Sequence, residues 1–254
     1  MKHGELPDVM RPQWREPCGK QTGVLLCHGI SGSPDSLRPW ADYLAERGHG
    51  VALPLLPGHG TTWQDLNTVH WQDWYHEAEA ALDWLQERCE HVVVAGLSMG
   101  GALALRIAER RPVAGLVLVN PAIASNNRSY ALVPKLSRFV GSVPGIGGNI
   151  KRKDVHELAY PRTPLRGVAT MLAMWADVRE NLDRVRVPVL LFTSREDHVV
   201  DTATGTLLDS TLPDLEWHWL ENSYHVATLD NDADTIFAMS EEFIARVCPP
   251  ARLA

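Results

Sequence analysis

The sequence predicts an α/β protein with a mostly parallel, doubly wound sheet and an inserted cap subdomain. Short apolar runs alternate with amphipathic stretches along most of the 254 residues, which is the pattern of strand, helix, strand units. The apolar runs lack polar and apolar alternation, which indicates strands that are covered on both faces. Over residues 122–181 the alternation fails, and this stretch is longer than an ordinary loop.

Six apolar runs are the predicted strands, and residues 91–95 (His-Val-Val-Val-Ala) form the clearest of them. Because strand, helix, strand units make right-handed crossovers, these strands should form one open sheet. Functional groups of such sheets lie at the carboxyl ends of the strands, so the site is expected there. The runs are residues 23–27, 51–54, 91–95, 115–119, 189–193 and 215–220.

Five amphipathic stretches between these runs are the predicted helices, at residues 37–47, 69–88, 99–110, 203–210 and 232–247. In the second helix the apolar residues recur every three or four positions, which places them on one helical face. Large aromatic side chains at this spacing fit core packing and do not indicate membrane contact. The residues of this face are Trp71, Trp74, Tyr75, Ala78, Leu82 and Leu85.

Residues 122–181, where the strand and helix alternation fails, are predicted to form an inserted cap. Residues 1–121 and 182–254 would then form the core domain. A cap over the strand ends would wall the site. A helical stretch around residues 170–175 carries large apolar side chains, which would either line an acyl pocket or pack on the sheet domain. The sequence leaves both possibilities open for Met171, Leu172, Met174 and Trp175.

Composition and charge exclude several classes of protein. The formal charge of −7 without a basic run disfavours a nucleic-acid partner. There is no apolar run of signal-peptide or membrane-spanning length, so we expect a cytoplasmic protein with at most transient contact with lipid surfaces. The four cysteines lack the spacing of zinc or redox sites and are expected to be reduced thiols; they are Cys18, Cys27, Cys89 and Cys248.

A Gly-x-Ser-x-Gly pattern is the strongest chemical signal in the chain. Residues 96–100 (Gly-Leu-Ser-Met-Gly) directly follow the predicted strand 91–95 and open a predicted helix. The pattern alone arises by chance about 0.1 times in a chain of this length. Its position adds specificity, since a serine exposed on a sharp strand-to-helix turn needs small neighbours. We therefore predict Ser98 as a nucleophile, the alternative being a glycine-rich turn with an ordinary serine.

A serine nucleophile needs a base within hydrogen-bond reach. On sheets of this kind the partners follow the serine in the order acid, then histidine. Of the downstream histidines, His225 lies in a polar turn right after the last predicted strand, and we predict it as the base. His218 lies inside that strand, His156 lies in the predicted cap, and His198 directly follows the candidate acid.

The acid is expected just after the predicted strand 189–193. Glu196, Asp197 and Asp201 are the candidates. We favour Asp197 because of its short polar turn and the apolar Val199 and Val200 that would anchor the loop. The acid need only accept the imidazole Nδ1 proton, which fixes the tautomer and stabilises the imidazolium.

Two backbone N–H groups are the predicted donors to the oxyanion. Met99 begins a helix, where amides are unpaired and the dipole is positive. Ile30 lies in the loop after the predicted strand 23–27 and supplies the second donor. We interpret His28 and His59 as residues that shape loops, since His59 lacks further ligands at metal spacing. No metal or other cofactor is expected.

Several segments together resemble the bacterial monoacylglycerol lipases and related small carboxylesterases of the α/β-hydrolase fold. The resemblance extends from about residue 20 to residue 248 and includes 154–164 in the cap. It implies the triad Ser98, Asp197 and His225 with Ile30 and Met99 as oxyanion donors. The segments are 27–32 (Cys-His-Gly-Ile-Ser-Gly), 56–60 (Leu-Pro-Gly-His-Gly), 96–101 (Gly-Leu-Ser-Met-Gly-Gly), 196–200 (Glu-Asp-His-Val-Val) and 222–230 (Asn-Ser-Tyr-His-Val-Ala-Thr-Leu-Asp).

The same resemblance implies that Ile146 and Glu157 face the alcohol end of the substrate. The family commonly has an aromatic residue where this chain has Ile30. Because the backbone N–H is the donor, this difference should change the acyl pocket more than the chemistry. A solvated position on the cap surface is the alternative for Glu157.

The expected activity is hydrolysis of a carboxylic ester, with a small-molecule ester or lipid as the partner and a monoacylglycerol as the first candidate substrate. The products would be a free fatty acid and glycerol, formed through an acyl-enzyme on Ser98. One alternative is other acyl chemistry on the same triad, by a different carboxylesterase, a thioesterase, an acyltransferase or a carbon–carbon bond hydrolase. The other is a small-molecule receptor without turnover.

Overall fold

A seven-stranded sheet forms the centre of the computed structural model, which describes residues 6–19, 21–145 and 147–249. The strands are β1 (Gln13–Arg15), β2 (Thr22–Cys27), β3 (Gly50–Leu53), β4 (His91–Leu97), β5 (Gly115–Val119), β6 (Ser142–Pro144), β7 (Arg162–Pro164), β8 (Val189–Ser194) and β9 (Leu215–Leu220). The sheet order is β1-β3-β2-β4-β5-β8-β9, and β6 and β7 form a separate antiparallel pair. Within the large sheet only β1 is antiparallel to its neighbour.

Eight α-helices flank the sheet or lie in the insertion within the described part of the chain. They are α1 (Arg38–Glu46), α2 (Trp63–Leu66), α3 (Trp71–Gln86), α4 (Met99–Ala108), α5 (Val133–Leu136), α6 (Leu165–Asn181), α7 (Ala203–Thr211) and α8 (Ala233–Val247).

Helices cover both faces of the sheet, as the continuous apolar runs predict. In β4, Val92 and Val94 pack in a cluster with α3, α4 and α6, whereas Val93 and Ala95 pack in a second cluster with α1 and α8. Adjacent residues of a strand point to opposite faces, so both sets of side chains are buried. The predicted α/β-hydrolase architecture with its mostly parallel sheet is confirmed.

All six predicted strands and all five predicted helices are present, with small differences at their ends. The sequence pattern missed β1, α2, α5 and the β6–β7 pair. Each of these has only three or four residues, and in β1 only Gln13 is buried. Such short elements carry no periodic apolar signal, because their neighbours in space hold them in place.

The insertion between β5 and β8 is built from short elements followed by the long helix α6. Met171, Met174 and Trp175 of α6 are buried in the same cluster as α3 and α4, and Met174 is fully buried. Of the two possibilities left open by the sequence, these three side chains therefore pack on the sheet domain. Leu172 is only partly buried at the edge of that cluster.

None of the helices in the described residues is long and apolar enough to cross a bilayer. The four cysteines are free thiols. Cys18 is exposed, whereas Cys27, Cys89 and Cys248 are buried.

Candidate active site

Ser98 lies on the turn between β4 and α4 with φ 56° and ψ −117°. L-residues rarely adopt a positive φ, and such strain persists only where the surrounding structure enforces it. At this turn the helix and the sheet approach each other so closely that two positions have no room for a side chain. A Cβ added to Gly96 would lie 2.2 Å from the carbonyl oxygen of Gly100, and one added to Gly100 would lie 1.8 Å from that of Cys27. The two glycines therefore permit the sharp turn that carries the serine.

The backbone of Ser98 is held from both sides of this turn. Its N–H donates to Val119 O at 3.0 Å, at the end of β5. Its carbonyl accepts from Gly101 N–H at 2.9 Å and from Ala122 N–H at 3.2 Å. The predicted nucleophile is thus fixed at the carboxyl edge of the sheet, and its side chain is largely buried.

Asp197 and His225 lie in the loops after β8 and β9 and are in direct contact. Asp197 Oδ2 accepts from His225 Nδ1 at 2.7 Å, and both side chains are buried. The other carboxylate oxygen accepts from the N–H groups of Val199 at 2.7 Å and Val200 at 2.9 Å. Since Asp197 occupies Nδ1, Nε2 is the imidazole nitrogen left to take a proton from a hydroxyl.

A buried asparagine links the serine turn to the histidine loop. Asn120 directly follows Val119, which accepts the Ser98 N–H, and its Nδ2 donates to His225 O at 2.8 Å. The same side chain donates to Ser194 Oγ at 2.9 Å and accepts from Ser194 N–H at 2.7 Å, three residues before Asp197. The ends of β4, β5, β8 and β9 thus share one hydrogen-bonded frame.

The direct contact within the predicted triad is that between Asp197 and His225. Among the described residues the Ser98 hydroxyl forms no hydrogen bond. Catalytic hydrogen bonds are often long in unliganded enzymes and tighten when substrate binds. The frame places all three residues at one sheet edge and leaves the hydroxyl free for a substrate.

Residues of the insertion also hold the histidine loop. Asn149 Oδ1 accepts from His225 N–H, and Asn149 O accepts from Val226 N–H, both at 3.1 Å. The buried carboxylate of Asp230 accepts from backbone N–H groups on both segments, those of Lys151, Arg152, Tyr224 and Asn231. The chain around residues 149–152 is therefore part of the structure that positions the imidazole.

Sequence reasoning missed Asn120, Ser194, Asn149 and Asp230. Two of them carried a usable signal, because Asn120 and Ser194 are polar residues directly after apolar runs that were predicted as strands. Buried backbone groups at the end of a strand need hydrogen-bond partners, and a polar side chain at that position can supply them. Asn149 and Asp230 had no comparable signal, since the two segments that they join are separated by tens of residues.

The N–H groups of Ile30 and Met99 are unpaired in the described part of the chain. Met99 is the first residue of α4, where amides lack helical acceptors. Gly29 brings the other loop against the nucleophile, since a Cβ there would lie 3.5 Å from Ser98 Cβ. Two free donors thus lie in the segments next to Ser98, as an oxyanion hole requires.

His28 fastens the loop that carries Ile30. Its Nε2 accepts from Leu56 N–H at 3.1 Å, so Nδ1 carries the proton and donates to Gly29 O at 3.0 Å. Burial lowers the pKa of His28 to about 4. This neutral ring ties two loops together, which agrees with the interpretation of His28 as a residue that shapes loops.

The ring of His59 packs against that of His28, with centroids 4.8 Å apart. Its Nδ1 donates to Leu56 O at 3.1 Å, so the residue closes its own loop. Burial holds the pKa of His59 well below its ordinary value. The described residues contain no group of three or more His, Cys, Asp or Glu side chains that could hold a metal ion.

Glu157 lies beside the loop that carries the predicted oxyanion donor. Its Oε2 accepts from Gly148 N–H at 2.9 Å, and a Cβ added to Gly32 would lie 2.8 Å from its Oε1. Burial raises the pKa of Glu157, and the Gly148 N–H and the nearby His225 oppose part of this rise. Glu157 is therefore close to the predicted base, whereas Ile146 lies outside the described residues.

Residues 24–238 match the Alpha/beta hydrolase family. The chain belongs to this family. It is 40% identical to a thermostable monoacylglycerol lipase of Bacillus sp. (strain H-257), over 88% of this chain and 90% of that protein. It is 28% identical to a carboxylesterase of Bacillus subtilis (strain 168), over 90% of this chain and 94% of the relative.

Solved structures of other α/β hydrolases have the same fold. One is a structure from a study of the metagenome-derived lipolytic enzymes LipS and LipT. It has a TM-score of 0.90 and 38% sequence identity, and the match covers 95% of this chain and all of that one. A monoacylglycerol lipase of Paleococcus ferrophilus has a TM-score of 0.76 at 19% identity, over 93% and 98% of the two chains. At 19% identity, the similarity to the Paleococcus ferrophilus structure shows a shared fold.

The buried His28 should make the stability of this hydrolase depend on pH. Its pKa is about 4 in the folded chain and 6.5 ordinarily. As the pH falls below 6.5, the unfolded chain therefore takes up a proton on this residue that the folded chain does not bind until the pH approaches 4. The contribution of neutral His28 to the free energy of unfolding is fully present above pH 6.5. It is lost as the pH falls towards 4, by on the order of 3 kcal/mol. Urea unfolding across this range measures the slope.

His28→Gln tests the source of that slope, because the amide oxygen can still accept the Leu56 N–H. We expect a shallower loss of stability in this variant than in the wild type. Part of the pH dependence of stability should remain in the variant, since the pKa of His59 is lowered as well and changes stability in the same direction. Equal slopes in the two proteins would contradict the assignment.

Loss of the Asn149 side chain should loosen the His225 loop of this hydrolase. We expect Asn149→Ala to lower kcat on a soluble ester by about 10-fold with little change in KM, because small misplacements of a catalytic group slow chemistry more than binding. Asn231→Ala is the control, since that exposed amide donates to Asn222 O and does not touch His225. An unchanged kcat with Asn149→Ala would show that the contact is dispensable.

Proposed function

We propose that this α/β hydrolase cleaves carboxylic esters, and monoacylglycerols in particular, to a free fatty acid and glycerol. The observation that carries the proposal is the Asp197–His225 pair, held on the same frame as the strained Ser98 turn. Support also comes from the relatives, one a monoacylglycerol lipase and another a carboxylesterase.

In the proposed reaction, Ser98 Oγ attacks the ester carbonyl carbon while His225 Nε2 takes the hydroxyl proton. Asp197 stabilises the imidazolium through Nδ1. The imidazolium returns the proton to the leaving glycerol oxygen, and water then cleaves the acyl-enzyme with the same base. The N–H groups of Ile30 and Met99 bind the oxyanion, where each donor is worth about 2.7–4 kcal/mol of the barrier.

The proposal assigns residues 122–181 to a cap, with the core formed by 1–121 and 182–254. Helix α6 is the root of this cap, because its apolar face is buried against the helices of the core. Residues 149–152 join the cap to the histidine loop. A cap attached in this way can exclude water from the reacting carbonyl, which strengthens each electrostatic contact there.

Glu157 is proposed to bind the glycerol end of the substrate, with Ile146 on the apolar side of the same subsite. Gly148 N–H fixes one carboxylate oxygen, and the second lies next to Gly32 in the oxyanion loop. A partly buried carboxylate in that position can accept hydrogen bonds from two glycerol hydroxyls. Hydrogen bonds to charged groups contribute about 1.5–3 kcal/mol each.

Replacement of the nucleophile tests the whole assignment. We expect Ser98→Ala to lower turnover of a soluble p-nitrophenyl ester by at least about 10⁴-fold while the protein stays folded. Ser210→Ala, on the surface helix α7, is the matched control and should keep full activity. A fluorophosphonate should label the wild type at Ser98 in a one-to-one ratio.

The acylglycerol series tests the substrate separately. Monoacylglycerols should be hydrolysed faster than diacylglycerols and triacylglycerols of the same chain length. Turnover by Ser98→Ala at the wild-type rate would overturn the mechanism, whereas a triacylglycerol preference would overturn only the substrate.

Removal of the Glu157 charge should weaken binding of the alcohol group alone. We expect Glu157→Gln to raise KM for a monoacylglycerol by about 10-fold, the loss of roughly one charged hydrogen bond. The KM for a p-nitrophenyl ester of the same acyl chain should not change, because that ester has no glycerol. Glu180→Gln on the exposed side of α6 is the control. Equal effects on both substrates would assign Glu157 a structural role.

A further inference from the structure

His198 lies where the loop of the predicted acid, the insertion and the histidine loop meet. It directly follows Asp197 in the chain, and its exposed ring packs edge-on against Tyr224 with centroids 4.4 Å apart. Its Nδ1 lies 3.3 Å from Asn149 Nδ2. Tyr224 in turn directly precedes His225. A histidine that the proposed mechanism does not use therefore contacts both the asparagine that supports the predicted base and the residue next to that base.

The two neighbours of the Asn149 side chain allow only one orientation of its amide. The backbone N–H of His225 can only donate, so the amide atom that faces it at 3.1 Å must be Oδ1. The NH2 group then faces His198, and this group can also only donate. His198 Nδ1 must therefore be the acceptor, which leaves the proton of the neutral ring on Nε2.

Protonation of His198 is incompatible with this arrangement. Both nitrogens of a charged imidazole carry a proton, so Nδ1 and Asn149 Nδ2 would become two facing donors. Turning the amide over does not restore the contact, because Nδ2 would then face the N–H of His225. No orientation of the Asn149 amide therefore satisfies both neighbours once His198 is charged.

We propose that His198 is a positioning residue for the predicted base: in its neutral form it orients the Asn149 amide, and this amide holds the His225 loop. Protonation of His198 releases that hold. Turnover should therefore fall more steeply in acid than protonation of His225 alone would cause. The effect on turnover rests on the proposed function, whereas the orientation of the amide rests on its two hydrogen bonds.

Charged groups of both signs surround His198. Asp197 precedes it in the chain, and Glu196 forms an ion pair with Lys151 at 3.1 Å. The Lys151 ammonium also lies 5.5 Å from the centroid of the Tyr224 ring, on which His198 packs. Carboxylates favour the charged imidazole, whereas the ammonium opposes it. Because several titratable groups lie here, the test needs a variant in which residue 198 alone has lost its ability to titrate.

Two replacements of His198 separate the hydrogen bond from the charge. Leucine removes the acceptor, whereas asparagine carries its Oδ1 at the same position along the side chain as Nδ1 and does not titrate. At about pH 8 we expect His198→Leu to lower kcat on a p-nitrophenyl ester by about 5-fold with little change in KM. His198→Asn should keep the wild-type kcat there. At about pH 5 it should exceed the wild type by about 5-fold, since only the wild type then carries a charge on residue 198.

A double variant and a remote histidine are the controls. In an Asn149→Ala background, His198→Leu should have no further effect on kcat, since the two residues act through one contact. His76→Leu, on the exposed side of α3, should keep the wild-type kcat at both pH values. Additive losses in the double variant, an unchanged kcat with His198→Leu, or parallel pH profiles for the wild type and His198→Asn would overturn the proposal.

NMR of the inactive Ser98→Ala protein tests the amide without turnover. The side-chain NH2 resonance of Asn149 should shift between about pH 8 and about pH 5, and His198→Asn should remove most of that shift. A resonance that shifts equally in both proteins would overturn the proposed orientation. A wild type without ester turnover would overturn the proposed function, and the NMR result would still decide the orientation of the amide.

Discussion

The close approach of α4 to the sheet is the constraint on which the rest of the site depends. At Gly100 the helix backbone touches the carbonyl of Cys27, leaving no room for a Cβ. This approach, which only a glycine permits, accompanies the turn that holds Ser98 at a positive φ, and Met99 N–H is the first unpaired amide of the helix. It also packs the start of α4 against the end of β2, from which the Ile30 loop departs. One steric contact thus arranges the predicted nucleophile and both predicted donors.

The predicted base depends on a different kind of interaction, a set of buried polar groups at the same sheet edge. Asn120 and Ser194 form hydrogen bonds with each other, and Asn120 also donates to the histidine loop. Asp230 accepts from backbone N–H groups of that loop and of residues 149–152. A satisfied buried network is rigid, because each lost hydrogen bond would leave an unpaired group in a medium of low dielectric. The imidazole is therefore held by several elements that are distant in sequence.

The sequence predicted the elements whose signals are local. Continuous apolar runs located the six main strands, and the glycines around Ser98 located the sharp turn. Hydrogen bonds of His28 agree with its predicted loop-shaping role. The pattern could not predict Asn149 or Asp230, because each acts through backbone groups brought close only by the fold. It also left open whether Met174 packs inward, since helical spacing gives a face but not the partner of that face.

The attachment of the insertion limits where it can move. A lid swing at residues 149–152 would strip the buried Asp230 carboxylate of two backbone donors, at about 1–3 kcal/mol for each unsatisfied contact. It would also release His225 N–H from Asn149 and disturb the predicted base. The helical stretch at residues 128–140 contacts α6 and the core cluster through Tyr130, Val133 and Ser137. The Asn149 and Asp230 contacts that support the imidazole do not involve that stretch.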